Sequence, residues 1–483
     1  MSFAGIVPPP GSGTTIQAAL RQSIITAIAD GRLAPGQRMP PSRALADQMD
    51  VARNTVIAVY DDLVARGFLV SIERRGYFVA DGADAAAADD GPPPAADGID
   101  WSQRLALRMS GWRNITKPAD WQRYPYPFIY GQVDADLFPI ASWRACSRDA
   151  LGRSAVNYWA ADYAMGDDPM LVEQICRHLL PARGILARPD EVLITLGSQQ
   201  GLYLLSQLLP RPDEEIGIED PGYADARNIF ALSRGRVRPL AVDDQGLVIG
   251  PALDGLKLAV VTPTYHCPTM VTMPAPRRQA LLDWATAADA VLIEDDYEGE
   301  MRFETALPAL KSLDTGGRVI YLGTLSKVLA PGVRIGYMVG PAPLIAEARA
   351  LRRLMHRSAP LNNQRTAAIF LAEGHAQGLV KSLRAAIRGR WEQVCAALAR
   401  DMPDFARAPS QGGSSVWLTC PAGIDGLALY EAAGRDGVLF EPGDPFFHDP
   451  PARASFRLGL SSISEERIDE GIRRLAAAAA RLP

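Results

Sequence analysis

Residues 319–337 read VIYLGTLSKVLAPGVRIGY, and this stretch decides the fold of the larger part of the chain. Four apolar residues, Val319 to Leu322, predict a buried strand, and small and polar residues follow it directly. Lys327 is one of only five lysines in a chain that otherwise uses arginine for positive charge. Arginine stays protonated in proteins, whereas a desolvated lysine becomes an amine nucleophile. Lys327 is therefore the first candidate for covalent chemistry, the alternative being a lysine with a buried stem and a solvated ammonium.

Similar apolar runs recur upstream of this stretch, and each one is followed by polar residues. The predicted strands are 192–196, 216–219, 258–261, 291–293 and 319–322. Short buried strands that alternate with helical patterns predict an α/β fold with a mostly parallel sheet covered on both faces. Because ligands of such sheets bind at the carboxyl ends of the strands, the polar residues after these runs are expected to form one site.

Candidate phosphate ligands follow two of the predicted strands. A helix that begins with a small-residue turn can bind phosphate at its N-terminus, although such a turn is more often only structural. Hydroxyl and guanidinium groups near Lys327 add further donors. The candidate ligands are Gly197, Ser198 and Gln199 at the start of a helix, and Thr324, Ser326 and Arg334 around Lys327.

Three further residues suit an aromatic ring with a basic nitrogen. Asp295 follows a buried strand, where an ionised carboxylate is costly unless a cation pairs with it. Tyr297 offers a phenol two residues later, and Tyr223, after a Pro-Gly pair, offers a flat surface. Singly, these residues are explained as solvated acids and packing tyrosines. Together with Lys327 they predict a site for pyridoxal 5′-phosphate, with Lys327 forming the Schiff base and Asp295 keeping the ring nitrogen protonated.

The first 80 residues predict a separate small domain. Isoleucine and leucine recur every four residues from Ile16 to Ile28, which indicates one apolar stripe on a first helix. A short second helix follows, and a third ends near Gly67. The β-type runs at 68–70 and 77–79 flank a turn and predict a hairpin. Three helices followed by a hairpin form a winged helix-turn-helix.

Several polar residues of this domain lie where a winged helix-turn-helix contacts DNA. The candidate DNA contacts are Arg43 at the start of the second helix, Arg53, Asn54 and Thr55 at the start of the third, and Arg74, Arg75 and Gly76 at the tip of the wing. Residues 15–80 contain eight arginines and six acidic residues, which is a mild positive balance for DNA binding. A module for protein contacts with solvated arginines is the alternative.

Composition separates the two parts and excludes several classes of protein. Residues 81–98, DGADAAAADDGPPPAADG, contain no aromatic or branched aliphatic residue and predict a flexible linker. The five cysteines form no CxxC pair and the five histidines no paired spacing, so no metal site is expected. The sequence has no run of eighteen apolar residues and no secretory signal pattern, so a cytoplasmic protein without a membrane span is expected.

Residues 32–80 resemble the winged helix of the GntR family. The resemblance rests on the strings RLxPGxxxPxSRxLA and RNTVxxxYxxLxxxG, and it implies DNA binding through the candidates named above. The sequence departs from this family at Ala52, where relatives commonly carry a serine or threonine that caps the recognition helix. The loss of such a cap costs on the order of 1 kcal/mol.

Residues 120–480 resemble the fold-type I aminotransferases of the aspartate aminotransferase class, and the lysine signature is GTLSKVLAPGVRIGY. The resemblance implies a small C-terminal α/β domain from about 375 to 483. It implies the internal aldimine at Lys327, the ring nitrogen at Asp295 and the ring 3′-oxygen at Tyr297. Stacking by Tyr223, the phosphate contacts above and a grip of Arg457, in the string FRLG, on a ligand carboxylate are also implied. A departure is Cys267, where many catalytic members carry asparagine, and Tyr265 and His266 also differ from close relatives.

A GntR-type winged helix joined to an aminotransferase-like body resembles the MocR-type transcriptional regulators. The resemblance implies a DNA-binding domain over 1–80, a linker and connecting segment over 81–120, and an effector domain over 121–483. It implies a head-to-tail homodimer in which an amino compound is sensed by forming an external aldimine. The effector stays open among α-amino acids, diamine derivatives, taurine-like and GABA-like compounds. A working aminotransferase with an accessory DNA-binding head is the main alternative, and a pure interaction protein is a weaker one.

Overall fold

The computed structural model describes residues 16–49, 51–73, 75–80, 99–160, 166–303 and 307–482. The chain divides into two compact units, Met1–Arg108 and Met109–Pro483. The predicted linker, 81–98, and the wing residue Arg74 lie outside the described residues. In the described ranges, every helix is too short or too polar to cross a membrane.

The N-terminal unit contains the predicted three helices and hairpin. The elements are α1 Ile16–Ala29, α2 Ser42–Met49, α3 Arg53–Ala65, β1 Leu69–Ile72 and β2 Gly76–Val79. The two strands pair in antiparallel register, with Leu69 opposite Val79. The apolar stripe of α1 begins one turn later than the pattern predicts, because Leu20, Ile24 and Ile28 are buried whereas Ile16 is exposed.

A compact apolar core holds this unit together. Side chains of α1 pack with Val56, Val59 and Leu63 of α3 and with both strands of the hairpin. Tyr60 is fully buried, and its hydroxyl donates a hydrogen bond to the backbone carbonyl of Pro40 at 3.1 Å. The phenol thereby fixes the loop before α2 against α3 and satisfies its own polar atom.

The second unit contains a large and a small sheet with helices around them. Its strands are β3 Tyr126–Pro127, β4 Val192–Thr195, β5 Glu215–Asp220, β6 Arg236–Asp243, β7 Gly246–Leu247, β8 Leu258–Val261, β9 Val291–Asp296, β10 Val319–Thr324, β11 Gly336–Val339, β12 Ala406–Arg407, β13 Ser415–Thr419, β14 Val438–Leu439, β15 Glu441–Pro442 and β16 Ser455–Gly459. All five predicted strands are present, and β9 extends further than predicted, through Asp296.

Helices α5 to α17 belong to the second unit, whereas α4 belongs to the first. The helices are α4 Trp101–Arg104, α5 Ile140–Ala150, α6 Arg153–Trp159, α7 Pro169–Gln174, α8 Leu180–Ala182, α9 Ser198–Leu208, α10 Ala224–Ala231, α11 Ala275–Ala287, α12 Leu310–Leu313, α13 Ala342–His356, α14 Leu361–Ala372, α15 His375–Asp401, α16 Gly426–Arg435 and α17 Glu465–Ala479. A π-helical turn, Ile175–Leu179, connects α7 to α8.

The large sheet has eight strands in the order β4–β11–β10–β9–β8–β5–β6–β7. Strands β10, β9, β8, β5 and β6 are parallel to one another. Strand β11 is antiparallel to both of its neighbours, so β4 runs in the same direction as β10. The carboxyl ends of β4, β10, β9, β8 and β5 therefore meet at one edge, which is where such sheets bind ligands.

Helices cover both faces of this sheet, as the apolar strand sequences predict. Ile293 and its neighbours on one face pack against α9 and α13. Leu292, one residue earlier, points to the opposite face and packs against Leu281 of α11. This alternation buries both faces of the strand and leaves only its carboxyl end accessible to a ligand.

The small C-terminal α/β domain that the resemblance implies is present. Its sheet has the order β12–β13–β16–β15, and α15, α16 and α17 pack against it through one apolar core. Strand β16 lies between β13 and β15, with Arg457 opposite Trp417 on one side and Glu441 on the other. This register brings the Arg457 and Glu441 side chains to the same face of the small sheet.

The first turn of α3 offers a test of the missing cap. Ala52 has the extended backbone of an N-cap residue, with φ −63° and ψ 138°, but no side chain accepts the free amides there. We expect Ala52→Ser to stabilise α3 by about 0.5–1 kcal/mol, since a serine hydroxyl accepts one of these hydrogen bonds. Slower hydrogen exchange of the first-turn amides in the full chain would show this. Ala58→Ser, in the middle of α3, is the control and should slow no amide, and equal exchange in the Ala52→Ser and parent chains would contradict the prediction.

Candidate functional site

A cavity of about 280 Å³ lies at the carboxyl edge of the large sheet. Its lining includes all eleven residues that the sequence assigned to a cofactor or ligand site. These are Gly197, Ser198, Gln199, Tyr223, Asp295, Tyr297, Thr324, Ser326, Lys327, Arg334 and Arg457. Ten of them come from turns and strand ends of the large sheet, and Arg457 comes from β16 of the small domain.

Lys327 follows β10 and presents its amine to the cavity. Its Nζ lies 4.0 Å from the centroid of the Tyr130 ring. Within the described residues, no carboxylate approaches this nitrogen within ion-pair distance. Burial, helped by the nearby cations Lys117 and Arg457 and opposed by Glu298, lowers the pKa of Lys327 to about 8. A substantial fraction of the Lys327 side chains is therefore neutral near physiological pH, which is the form that attacks a carbonyl carbon.

The turn from β4 to α9 forms one wall of the cavity. Gly197 has φ +79°, and a Cβ at this position would lie 3.2 Å from Nη2 of Arg334. Arg334 donates a hydrogen bond from Nη2 to the carbonyl of Leu196 at 2.7 Å. A Cβ on Gly336 would lie 2.6 Å from the Gly197 backbone. Strand β11 can therefore pack this closely against the turn only because position 336 is a glycine. The backbone amides at the N-terminus of α9, the guanidinium of Arg334 and the hydroxyls of the β10 loop therefore line the same part of the cavity, where they could bind an anion.

The hydroxyls of the β10 loop are only partly satisfied. Thr324 accepts a hydrogen bond from the amide of Ser326 at 3.1 Å and donates to the carbonyl of Ile335 at 3.3 Å. Ser326 Oγ is buried and has no hydrogen-bond partner. A buried polar atom without a partner costs free energy, so this hydroxyl is suited to a ligand oxygen.

Asp295 at the end of β9 is buried on the opposite wall. It accepts a hydrogen bond from Ser198, and its Oδ1 has no partner. Burial raises the pKa of Asp295 to about 7, and the hydrogen bond from Ser198 and the Lys327 charge only partly oppose this. Such a carboxylate is suited to a protonated ring nitrogen, which would supply both a cation and a donor.

Two tyrosines flank Asp295 and differ in how they are held. Tyr223 donates to Oδ2 of Asp225 at 2.9 Å, and Gln199 donates to the same oxygen at 3.1 Å. This shared acceptor fixes the Tyr223 ring as one face of the cavity. Among the described residues, the hydrogen bond that the Tyr297 hydroxyl donates goes to the sulfur of Met270, at 3.6 Å. Sulfur is a weak acceptor, so this phenol stays available to a stronger one.

Arg457 is buried and already carries an internal partner. Its Nε donates to Oε2 of Glu441 at 2.7 Å, and its Nη2 lies at ion-pair distance, 2.7 Å, from the same oxygen. The guanidinium lies 4.1 Å from the centroid of Tyr130 and 4.8 Å from that of Phe446. The other oxygen of Glu441 lies 3.1 Å from Nζ of Lys117. Arg457 therefore reaches the cavity as one member of a three-residue charge cluster.

Sequence reasoning missed Lys117, Tyr130 and Glu441, which all surround the cavity or its charge cluster. The scarcity of lysine was a usable signal for Lys117, but it was applied only to Lys327. Tyr130 and Glu441 carry no local motif, and the amide of Tyr130 donates to Glu441 Oε1 at 3.4 Å across 311 residues of sequence. Cys267 also lines the cavity, and burial raises its thiol pKa to about 12, so the neutral thiol faces the cavity.

The candidate DNA contacts that the structure describes are mostly exposed on the N-terminal unit. Arg43, Arg53, Asn54, Arg75 and Gly76 are exposed, and Thr55 is half-buried. The Nε of Arg53 donates to Ser42 Oγ at 3.4 Å, which links the starts of α2 and α3. The turn before β2 uses Gly76 with φ +101°. The third helix thus presents its N-terminal side chains to solvent, as a recognition helix does.

The structure also brings together three residues of metal-binding type that spacing did not connect, namely Cys146, Glu373 and His375. Oε2 of Glu373 accepts a hydrogen bond from Cys146 Sγ at 3.7 Å and lies 3.0 Å from Nε2 of His375. The shared carboxylate satisfies both neighbours without an ion. Glu373 and His375 join the end of α14 to the start of α15, so the cluster ties α5 to this junction.

Comparison with known proteins matches both units. Residues 15–79 match the family described as bacterial regulatory proteins, gntR family, and residues 160–475 match aminotransferase class I and II. The chain is 45% identical to the HTH-type transcriptional regulator TauR of Rhodobacter capsulatus, over 97% of both chains. It is 29% identical to the probable rhizopine catabolism regulatory protein MocR of Rhizobium meliloti, over 95% of this chain and 92% of that one.

A solved structure shows the same fold in the larger unit. The α-aminoadipate aminotransferase LysN of Thermus thermophilus, complexed with N-(5′-phosphopyridoxyl)-L-leucine, is similar with a TM-score of 0.72 and 26% identity. The match covers 79% of this chain and 98% of that one. It supports a fold-type I aminotransferase architecture for the part of the chain that carries the cavity.

The buried carboxyl of Asp295 should make the stability of the cofactor-free chain depend on pH. A carboxyl whose pKa is raised on folding destabilises the fold as pH rises from its unfolded pKa, near 4, to its folded value of about 7. We therefore expect Asp295→Asn to stabilise the cofactor-free chain, by on the order of 2 kcal/mol more at pH 8 than at pH 5.5. Urea unfolding followed by tryptophan fluorescence reports mainly on the larger unit, since seven of the eight tryptophans follow residue 108.

The control for this measurement is Asp254→Asn, which changes an exposed carboxylate on the same unit. The same pH dependence in both variants would contradict the assignment of the effect to the buried Asp295.

Proposed function

The chain belongs to the HTH-type transcriptional regulators that join a GntR winged helix to an aminotransferase class I and II domain, and we propose that it senses an amino compound through pyridoxal 5′-phosphate bound in the larger unit. The observation that carries this proposal is the cavity, which is lined both by the amine of Lys327, without a carboxylate partner among the described residues, and by the buried Asp295, whose Oδ1 has no hydrogen-bond partner. The N-terminal unit would bind the operator, and the larger unit would bind the effector.

The side chains around the cavity fit this cofactor in charge and in unsatisfied polar atoms. Ser326 Oγ and Asp295 Oδ1 are buried without partners on two walls of the cavity. Lys327 supplies an amine that no carboxylate holds, and Gly197 leaves room beside Arg334 for an anionic group. A phosphate, a ring nitrogen and an aldehyde carbon would engage these three sets of atoms together.

We assign each part of the cofactor to residues of this chain. The phosphate would be held by Gly197, Ser198, Gln199, Thr324, Ser326 and Arg334. Asp295 would hold the ring nitrogen, Tyr297 the 3′-oxygen, and Tyr223 would cover the ring. When bound, the cofactor supplies an aldehyde carbon that condenses reversibly with primary amines. The amine of Lys327 would take that position until an effector amine replaces it.

Effector binding can change DNA binding only if the effector has different affinities for two arrangements of the chain. Arg457 belongs to the small domain, whereas Lys327 and Asp295 belong to the large one. An effector whose amine lies at the cofactor and whose other end contacts Arg457 would favour the arrangement in which the small domain lies close to the large one. We propose that residues 81–98 transmit this difference to the DNA-binding units.

We also propose that the chain acts in the cytoplasm as a head-to-tail homodimer, as the resemblance to MocR-type regulators implies. Two winged helices in one dimer would select a repeated or inverted pair of half-sites. Leu354 and Met355, at the end of α13, are exposed apolar side chains that a partner subunit would cover.

Lys327→Ala should abolish both covalent attachment of the cofactor and the response to effector. The parent chain is expected to develop a visible absorption band on addition of pyridoxal phosphate, and the variant is not. Lys257→Ala, which removes an exposed lysine elsewhere, is the control and should retain the band. Promoter binding with and without a panel of α- and ω-amino acids measures the response. Rapid turnover of keto acids with no effect of any amine on DNA binding would favour the working aminotransferase instead.

Arg53→Ala should weaken DNA binding by about 1–3 kcal/mol, because this side chain lies at the exposed start of the recognition helix. The probe is a fragment that carries the promoter region of the chain's own gene, and a gel shift at several salt concentrations measures the affinity. Arg66→Ala, at the opposite end of α3, is the matched control. Equal losses in the two variants would show that general charge, and not the position of Arg53, determines binding.

A further inference from the structure

The way Glu441 holds Arg457 leaves part of the guanidinium available. Glu441 and Arg457 stand opposite each other on the neighbouring strands β15 and β16. A single oxygen of the carboxylate, Oε2, accepts a hydrogen bond from Nε of Arg457 and lies 2.7 Å from its Nη2. Within the described residues, Nη1 of Arg457 receives no such partner, and Arg457 lines the cavity. Glu441 therefore orients the Arg457 side chain and leaves N–H groups of its guanidinium free to bind a ligand.

The second oxygen of Glu441 holds another cation at the same place. Oε1 lies 3.1 Å from Nζ of Lys117, and this amine also donates to the carbonyl of Tyr130. Glu441 is almost fully buried, whereas the Lys117 side chain keeps 28% of its surface exposed. An ammonium has three donors, and the two named contacts leave one of them for a ligand.

Three cations surround Tyr130, while two buried carboxylates lie beside it: Glu441, and Glu298, which accepts the hydrogen bond of the Tyr130 hydroxyl at 2.6 Å. Lys117, Lys327 and Arg457 all approach the Tyr130 ring, at 5.8, 4.0 and 4.1 Å from its centroid. Burial raises the pKa of Glu441, but Arg457 and Lys117 outweigh burial, so its pKa is lowered and it is ionised. One carboxylate thus serves two cations that both face the cavity. An additional anion between Lys117 and Arg457 would be stabilised by both.

We propose that Lys117 and Arg457 together form a subsite for the acidic group of the effector, and that Glu441 positions both cations. This inference rests on the proposed function, since the amine end of the same effector would lie at the cofactor. It identifies the effector class as amines that carry a carboxylate or a similar oxyanion, and it excludes simple alkylamines. Lys117 becomes a residue that determines specificity, and Glu441 a positioning residue.

The place of Lys117 in the chain gives this subsite a second consequence. Residues 113–117 form an irregular strap along the cavity, to which Asn114, Ile115 and Lys117 contribute lining. The carbonyl of Arg113 accepts hydrogen bonds from Asn228, at 3.0 Å, and from Arg227. The strap precedes β3 and follows the segment that leads from the first unit. An effector that engages Lys117 therefore orders the chain at the point where the connection to the DNA-binding unit begins.

The test compares amines with and without an acidic group on the cofactor-loaded chain. The probes are glycine, β-alanine and 4-aminobutyrate, each paired with the n-alkylamine of the same carbon number. The change in the visible spectrum gives the dissociation constant of each probe. We expect the parent chain to prefer one amino acid strongly over its alkylamine and Lys117→Met to reduce that preference roughly tenfold to hundredfold, the effect of one charge-assisted hydrogen bond.

Conservative and distant variants separate recognition from folding. Lys117→Arg keeps a cation and should retain most of the preference, whereas Lys381→Met, on the exposed face of α15, should leave it unchanged. Glu441→Gln should weaken the preference as Lys117→Met does, because both cations lose their common anchor. Loss of the preference in Lys117→Met and Lys117→Arg alike, with a lower unfolding midpoint in both, would assign Lys117 to folding and overturn the proposal.

Hydrogen exchange of residues 113–117 provides an independent readout. The preferred amino acid should slow exchange of the strap in the parent chain, and its alkylamine should not. Exchange in Lys117→Met should stay fast with either probe. Preference and protection that are unchanged in Lys117→Met would overturn this subsite while leaving the proposed function intact, whereas a parent chain that never forms the visible band would overturn the proposed function itself.

Discussion

The cavity of the larger unit has charges on its two sides that the chain does not neutralise. On one side, Lys117, Lys327 and Arg457 surround Tyr130, and Glu441 is the shared partner of Lys117 and Arg457. On the other, the carboxyl of Asp295 is buried with an unpaired oxygen. A ligand would pair with both sides if it placed a cationic or hydrogen-bond-donating atom at Asp295 and an anionic group at the cations. The convergence of five strand ends brings the residues of the large sheet in this site to the same edge.

Much of the fold follows from local pattern, and its departures have physical causes. Runs of branched aliphatic residues placed all five predicted strands, because strands buried on both faces must be apolar throughout. Strand β9 runs on through Asp295 and Asp296, which the pattern assigned to a loop. Asp296 is tolerated there because Arg183 and Tyr321 bond to it at 2.8 Å. Such compensation comes from distant elements and is invisible in a sequence window. Ile16 is exposed because α1 begins there, before its stripe reaches the core.

In the candidate site too, some residues could be predicted from the local sequence, whereas others are brought together only by tertiary packing. The residues of the large sheet could be predicted to lie together, since they stand at or just after strand ends, and parallel strands bring those positions to one edge. Arg457 came only from a family resemblance, and its partners came from neither source. Lys117, Tyr130 and Glu441 belong to an irregular strap, a loop and a short strand, and tertiary packing alone brings them together. The cluster of Lys117, Glu441 and Arg457 is thus the part of the cavity's surroundings that sequence patterns describe least.

The pairing of Glu441 with Arg457 restricts how this receptor can change during evolution. The two residues stand opposite each other on adjacent strands, so the loss of either one leaves a buried charge without its counterion, at a cost of about 3–5 kcal/mol. Few single substitutions at these two positions are therefore neutral. Lys117 is under no such restriction, because it is partly solvated and lies outside regular structure. Descendants of this gene can acquire a new ligand preference through the strap, while the inherited arginine–glutamate pair stays in place.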